Sequence, residues 1–323
     1  MVDWVGNDGV GTARRYRFMG ESQLRGVSPI YERLCLGVAD DVEVIERLDS
    51  LPTAKRQPNL LLGAVRFLDG PVLNYRDFRT FVLTQWEALA ATMVSRQTQT
   101  NEASRCTALL PVLAALPQPL ALLEVGASAG LCLQPDRYAY RYDDRPVLGT
   151  SSLVLECRTS GPVPVPSALP TVVWRRGLDL NPLDVRDDEQ MRWLRSLIWP
   201  EQAARFEIFE RAVALAREDP AHIVTGDLTT DLAAVAVEAP RNATLVVFHS
   251  AVLSYLDGAG RAAFRAQLAQ LAASRPTVWV SNEGPGVCVE IAQPPGPVPF
   301  VLARDGAALA FTGPHGDTVD WLS

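Results

Sequence analysis

The chain has 323 residues, 48% of them hydrophobic and 21% charged, with a formal net charge of −7. That length suits one large domain or two ordinary ones. The acidic balance argues against a non-specific nucleic-acid binder, and no apolar run reaches the ~18 residues a membrane span needs.

The first eight residues lack a basic stretch followed by an apolar one, so no secretory leader is expected. Residues 1–117 read as a helical region on the substrate side of the molecule. Tyr31, Leu34 and Val38 suggest one helix and Leu60 to Phe67 another. Phe78, Val82, Trp86, Leu89 and Met93 recur at steps of three and four, an apolar helical stripe. A polar run, Arg96 to Arg105, follows. Asn101 or Thr100 there is a helix cap, and Glu102 opposes the helix dipole. The same run places Arg96, Asn101, Glu102 and Arg105 beside the presumed cleft as candidate substrate contacts, the arginines as clamps for an anion.

From 118 to 323 the pattern changes to short β-rich runs separated by helical stretches. Strands are expected at Leu122–Val125, Leu153–Cys157, Val172–Trp174, His222–Val224, Thr244–Phe248 and Thr277–Val280, with a β insertion around 145–172. Helices are expected at Trp193 to Ala216, broken at Pro200, and at Arg261–Ala273. Phe300–Leu302 and Ala308–Phe311 flank Asp305-Gly306 as a closing hairpin. Strands alternating with helices imply an α/β fold: a Rossmann-like, doubly wound, mostly parallel sheet with a C-terminal antiparallel hairpin, preceded by the helical region.

The most informative segment is Ala121-Leu-Leu-Glu-Val-Gly-Ala-Ser-Ala-Gly130. An apolar strand ends in an acid, and a glycine turn leads toward a helix start whose N–H groups suit an anion. The dinucleotide fingerprint Gly-x-Gly-x-x-Gly is absent. The spacing fits the looser acidic-x-Gly-x-x-x-Gly turn of proteins that bind S-adenosylmethionine, with Glu124, Gly126, Ser128 and Gly130 around the ligand. The same residues spell Gly-x-Ser-x-Gly, a hydrolase elbow with Ser128 as nucleophile. A helical rather than stranded N-terminal region favours the first reading.

Ligands in open α/β sheets sit at the carboxyl ends of strands. Asp179, in Gly177-Leu-Asp-Leu-Asn-Pro182, is the preferred ribose acceptor, with Glu156 as the competing choice. Asp227 suits an adenine amino group. His249 is the candidate general base, and Ser250 and Tyr255 line the same pocket. Asn282 and Glu283 follow the next strand as further contacts. His315 reads as a structural turn residue. The five cysteines (Cys35, Cys106, Cys132, Cys157, Cys288) are scattered and histidines number three, so no metal site is expected and reduced thiols in a cytoplasmic protein are the simplest account.

The segments Gln99-Thr-Asn-Glu102, Leu123-Glu-Val-Gly-Ala-Ser-Ala-Gly-Leu131, Gly177-Leu-Asp-Leu-Asn-Pro-Leu-Asp184, Thr225-Gly-Asp-Leu228, Val247-Phe-His-Ser250, Ser281-Asn-Glu-Gly284 and Thr312-Gly-Pro-His-Gly316 together resemble a bacterial family called domain of unknown function 2332. The resemblance implies a methyltransferase-like fold and carries no substrate. The chain departs from the expected pattern at Cys132-Leu-Gln-Pro135, where a proline shortens or kinks the first helix. The resulting expectation is methyl transfer from S-adenosylmethionine to a small molecule, with no nucleic-acid or membrane partner. A serine esterase and a non-catalytic sensor or scaffold that binds S-adenosylmethionine are the alternatives.

Overall fold

Short polar side chains start many of the helices. Ser28, Asp41, Asn74, Asp187 and Asp257 each accept a hydrogen bond from a backbone N–H two or three residues on. Each satisfies a donor that the first helical turn leaves over. The computed structural model describes residues 11–289, 292 and 299–323. The eight residues read for a leader lie outside them.

Among the described residues seven α-helices precede the first strand: α1 (Thr12–Phe18), α2 (Pro29–Asp40), α3 (Val42–Asp49), α4 (Pro58–Phe67), α5 (Tyr75–Thr84), α6 (Trp86–Ser95) and α7 (Cys106–Ala114). The single stripe from Phe78 to Met93 is split between α5 and α6. Gln85, at φ −109° and ψ 22°, leaves the helical region between them. Phe78, Val82, Leu89 and Met93 are still buried together in one core.

The strands are β1 (Leu120–Val125), β2 (Ala139–Tyr142), β3 (Val154–Ser160), β4 (Val172–Asp179), β5 (His222–Thr225), β6 (Thr244–Ser250), β7 (Thr277–Glu283), β8 (Phe300–Arg304), β9 (Ala307–Thr312) and β10 (Thr318–Trp321). Among them run α8 (Asp188–Ser196), α9 (Ala203–Glu218), α10 (Leu232–Ala236) and α11 (Gly258–Ser274). The fold is mixed α/β, with a mostly parallel sheet of ten strands in the order β2-β3-β10-β9-β8-β7-β6-β1-β4-β5. Only β7–β8, β8–β9 and β9–β10 pair antiparallel.

The chain forms two compact units. One comprises residues 11–100 and Asp187–Glu207, and the other Asn101–Arg186 and Ile208–Ser323. The helical grouping read from sequence ran to 117. Here η-turn Ala103–Arg105 and α7 belong with the sheet. The first unit buries Tyr16, Tyr31, Leu34, Leu61 and Val65 with Trp193 of α8.

In the second unit, Ala121, Leu123, Val125, Leu245 and Val247 pack under Phe264, Leu268 and Leu271 of α11 and Leu232 and Val235 of α10. Burying a side chain of this size contributes roughly 1.5–3 kcal/mol. Side chains alternate along a strand. Glu124 is in register with Phe248, and Phe248 with Val280, while Ser250 is in register with Asn282. Glu124, Ser250 and Asn282 therefore share the face opposite that core. The antiparallel register carries the same face on to Leu302, Phe300 and Thr312.

Two expectations change here. The expected 145–172 insertion contains β3 but β2 precedes it, and the two join the sheet through β10. The glycine turn leads into a three-residue turn, Leu131–Leu133, instead of an α-helix. Pro135 supplies the reason, since it has no N–H for a helical bond and its ring clashes with the preceding turn.

Candidate functional site

β1, β4, β5, β6 and β7 run parallel, so their carboxyl ends line one edge of the sheet. β4 flanks β1 on one side and β6 on the other, and after β5 the chain crosses back over β4 and β1 to reach β6. The chain leaves the sheet in divergent directions at such a switch, which opens a crevice for a ligand. Glu124, Asp179, Asp227, His249, Ser250, Asn282 and Glu283 all fall at or just beyond these ends.

Glu124 is 3% exposed, and its Oε2 has no hydrogen-bond partner among the described residues. Burial raises its carboxyl well above the usual carboxylate range. The nearby Cys132 and Asp179 push the same way, and only Arg105 opposes them. Gly126 holds the next position at φ +69°, where an added Cβ would overlap Val252. Ser128 follows at φ +51°, a left-handed position that few non-glycine residues occupy.

The donors of this turn are used within the protein. Ser128 N–H donates to Asp179 Oδ2 at 2.8 Å, and Leu131 N–H to Asn101 Oδ1 at 2.8 Å. Gly126 and Gly130 donate to the carbonyls of Leu178 and Ala127. Asp179 also accepts from Asn181 N–H through Oδ1, so both its oxygens already brace loops. Asn101 clasps the turn a second time, donating from Nδ2 to the Ala127 carbonyl at 3.2 Å. The amide cradle expected here for an anion is thus occupied by Asp179 and Asn101.

Arg105 is 5% exposed. Its Nε donates to the Pro314 carbonyl at 2.9 Å and its Nη1 to the Ser250 carbonyl at 3.2 Å, and it lies 5.7 Å from the Phe300 ring centroid. Both acceptors are neutral. Among the described residues Arg105 forms no ion pair, and Nη2 has no hydrogen bond. Beside it, Asn282 donates to Ser250 Oγ at 3.3 Å and accepts from Thr312 Oγ1 at 2.8 Å. Tyr255, 52% exposed, stands at the rim.

His249 does not fit the role of general base. It is wholly buried, with Nδ1 2.6 Å from Glu283 Oε1, and its Nε2 receives the indole N–H of Trp279 at 2.9 Å. An indole N–H only donates, so Nε2 accepts and Nδ1 carries the proton given to Glu283. No ring nitrogen remains for a substrate. Glu283 Oε1 also accepts from the backbone N–H groups of Val252 and Leu253, while Oε2 has no partner among the described residues.

Three other candidates stand apart. Arg96 belongs to the helical unit, stacked on Phe67 at 4.3 Å and paired with Glu189. Asp227 accepts from the Thr229 N–H and hydroxyl at 2.7 Å each and so closes its own turn. Glu156 lies on β3, beyond β10, and pairs with Arg141 at 2.7 Å, so it is no neighbour of β1. Sequence reasoning gave Thr312 no role and took His315 as a structural turn residue. His315 Nδ1 lies 3.6 Å from Glu102 Oε2, and Thr107 Oγ1 donates to the Gly316 carbonyl. The Thr312-Gly-Pro-His-Gly316 motif was the available signal.

A family model described as an uncharacterized protein conserved in bacteria, DUF2332, matches residues 13–321. The chain belongs to this family. No curated protein matches it. The DUF2332 match covers both units, so the paired features at the sheet edge and the helical unit lie within one family domain. Among the described residues no helix is long and apolar enough to cross a membrane, and no cluster of His, Cys, Asp and Glu suits a metal ion.

Proposed function

We propose that this DUF2332 protein is a cytoplasmic methyltransferase with a Rossmann-like core that takes S-adenosylmethionine as methyl donor and a small molecule as acceptor. The observation that carries the reading is the pair Glu124 and Arg105. Among the described residues one is a buried carboxyl with an unpartnered oxygen, and the other is a buried guanidinium without a counter-ion, whose charge opposes the rise of that carboxyl. Leaving such groups buried and unpaired costs several kcal/mol. A zwitterionic amino-acid tail relieves both, its ammonium at Glu124 and its carboxylate at Arg105. The donor set therefore fits the methionine end of the cofactor, although the turn amides are spent elsewhere. The strand order β5-β4-β1-β6-β7 with its switch beside β1 supports the same reading.

When bound, the cofactor supplies an electrophilic methyl group. The rest is positioning by the protein. Glu124 gives up its proton and holds the ammonium, Arg105 orients the carboxylate, and Asp179, fixed by Ser128 and Asn181 N–H groups, keeps acceptor lone pairs for ribose hydroxyls. The Ser250–Asn282–Thr312 chain offers polar atoms to an acceptor on the same face. The hydrolase alternative has less support, since no imidazole among the described residues hydrogen-bonds Ser128 Oγ.

Titration calorimetry with S-adenosylhomocysteine tests the reading. The wild type should bind, and Glu124→Ala and Arg105→Met should each weaken binding at least tenfold. No heat from the wild type, or undiminished binding by both variants, sinks it. Binding without methylation of any acceptor in a broad screen favours the sensor.

A further inference from the structure

We infer that the Ser128 hydroxyl is a ligand contact, a second acceptor beside Glu124 for the ammonium of the bound amino-acid tail, an inference that rests on the methyltransferase reading. Two independent features of Ser128 lead there. The residue is 4% exposed, and its Oγ has no hydrogen-bond partner among the described residues. A buried hydroxyl without a partner has lost its water contacts and gained nothing in return. The backbone also sits at φ +51°, where a side chain is strained and glycine is not. Both features destabilise the free protein, and glycine at this position would remove both.

The backbone of Ser128 fixes where its side chain starts. Its N–H donates to Asp179 Oδ2 at 2.8 Å, and its carbonyl accepts from Leu183 N–H at 3.0 Å. Ser128 is thus held from both sides against the segment that leaves β4, at the crevice between the ends of β1 and β4. The same Asp179 acts on the Glu124 carboxyl. Asp179 therefore brings the two unpartnered atoms, Glu124 Oε2 and Ser128 Oγ, into one neighbourhood.

The chemistry of that neighbourhood suits a cation. Two acidic side chains repel an anion from the hydroxyl and draw a positive group to it. An ammonium carries three N–H donors and no acceptor. Glu124 Oε2 takes one donor and supplies the counter-charge. Ser128 Oγ takes a second, so the pair selects a primary ammonium over a neutral or anionic group.

Calorimetry and thermal unfolding of three proteins test the contact: the wild type, Ser128→Ala, which removes only the hydroxyl, and Ser128→Gly, which also relieves the backbone. The wild type should bind S-adenosylhomocysteine, and both variants should bind it about tenfold more weakly, the scale of one hydrogen bond to a charged group. Methylthioadenosine shares the adenosine and lacks the amino-acid tail. It should give the same affinity, or the same absence of heat, with all three. Without ligand neither variant should be less stable than the wild type, and Ser128→Gly should unfold about 2 °C higher. Equal S-adenosylhomocysteine affinity in all three proteins overturns the Ser128 contact and leaves the cofactor reading standing. Equal weakening of both ligands overturns it too, since the hydroxyl then acts by shaping the turn. A lower midpoint for Ser128→Ala also overturns it, since the hydroxyl then has a partner inside the protein. No binding by the wild type overturns the cofactor reading and the contact with it.

Discussion

His249 Nδ1 and Glu283 Oε1 lie 2.6 Å apart, both side chains within 1% of complete burial. The pair ties β6 to β7, and Glu283 also holds the two backbone N–H groups that turn the chain after β6. Removing one member of such a pair leaves the other buried and unsatisfied. Glu283→Gln and His249→Ala should each destabilise the protein by about 2–4 kcal/mol, read by urea unfolding. Trp279→Phe, which strips one neutral donor from Nε2, should cost only about 1 kcal/mol. Equal stability of His249→Ala and wild type would refute the structural role.

Glu124 gives a pH dependence whose sign can be worked out. Its folded-state pKa is raised, so the folded state binds the proton more tightly than the unfolded chain does. The raised pKa costs nothing below the ordinary carboxyl range. The cost appears as pH rises through that range, and stops growing above the raised value. Glu124→Gln should therefore match the wild type near pH 4 and exceed it by about 1–3 kcal/mol at pH 8. A constant difference across the range would show that the carboxyl titrates normally.

Cofactor binding should release a proton. An ammonium at Glu124 favours the ionised carboxylate that burial otherwise suppresses. Calorimetry with S-adenosylhomocysteine in buffers of different ionisation enthalpy should report about one proton released in the wild type, by this linkage, and none in Glu124→Gln. Uptake of a proton, or no buffer dependence in the wild type, contradicts the assignment.

Gly126 should tolerate no side chain. Gly126→Ala meets Val252 and also the strain of φ +69°. A loss of about 2–4 kcal/mol is expected for overlap and strain together. Adding Val252→Ala should recover part of it, because the overlap is relieved and the backbone strain is not. Complete recovery in thermal unfolding would show that strain contributes nothing.

Much of the sheet edge was legible from sequence because strand exits announce themselves chemically. Asp179 and Glu283 are the last residues of β4 and β7, and their position at one edge follows from parallel pairing. What was not legible is which partner each polar group finds. Asn101 reads equally as a cap or a ligand contact, and only the fold brings it to Leu131. His249 reads as a base until Trp279, one strand away, takes its second nitrogen. His315 reads as a turn residue, and only the fold brings Glu102, far off in sequence, to within 3.6 Å of it. The missing first helix was foreshadowed by Pro135, and β10 escaped notice as a short edge-like segment without strong alternation.

The sheet order has a bearing on biosynthesis. The β2–β3 pair emerges directly after β1, yet its place in the sheet is beyond β10, which follows it by seven strands in chain order. A ribosome must deliver everything from β4 to β10 before β3 finds its permanent neighbour, so this strand pair waits through that stretch of synthesis with an open flank.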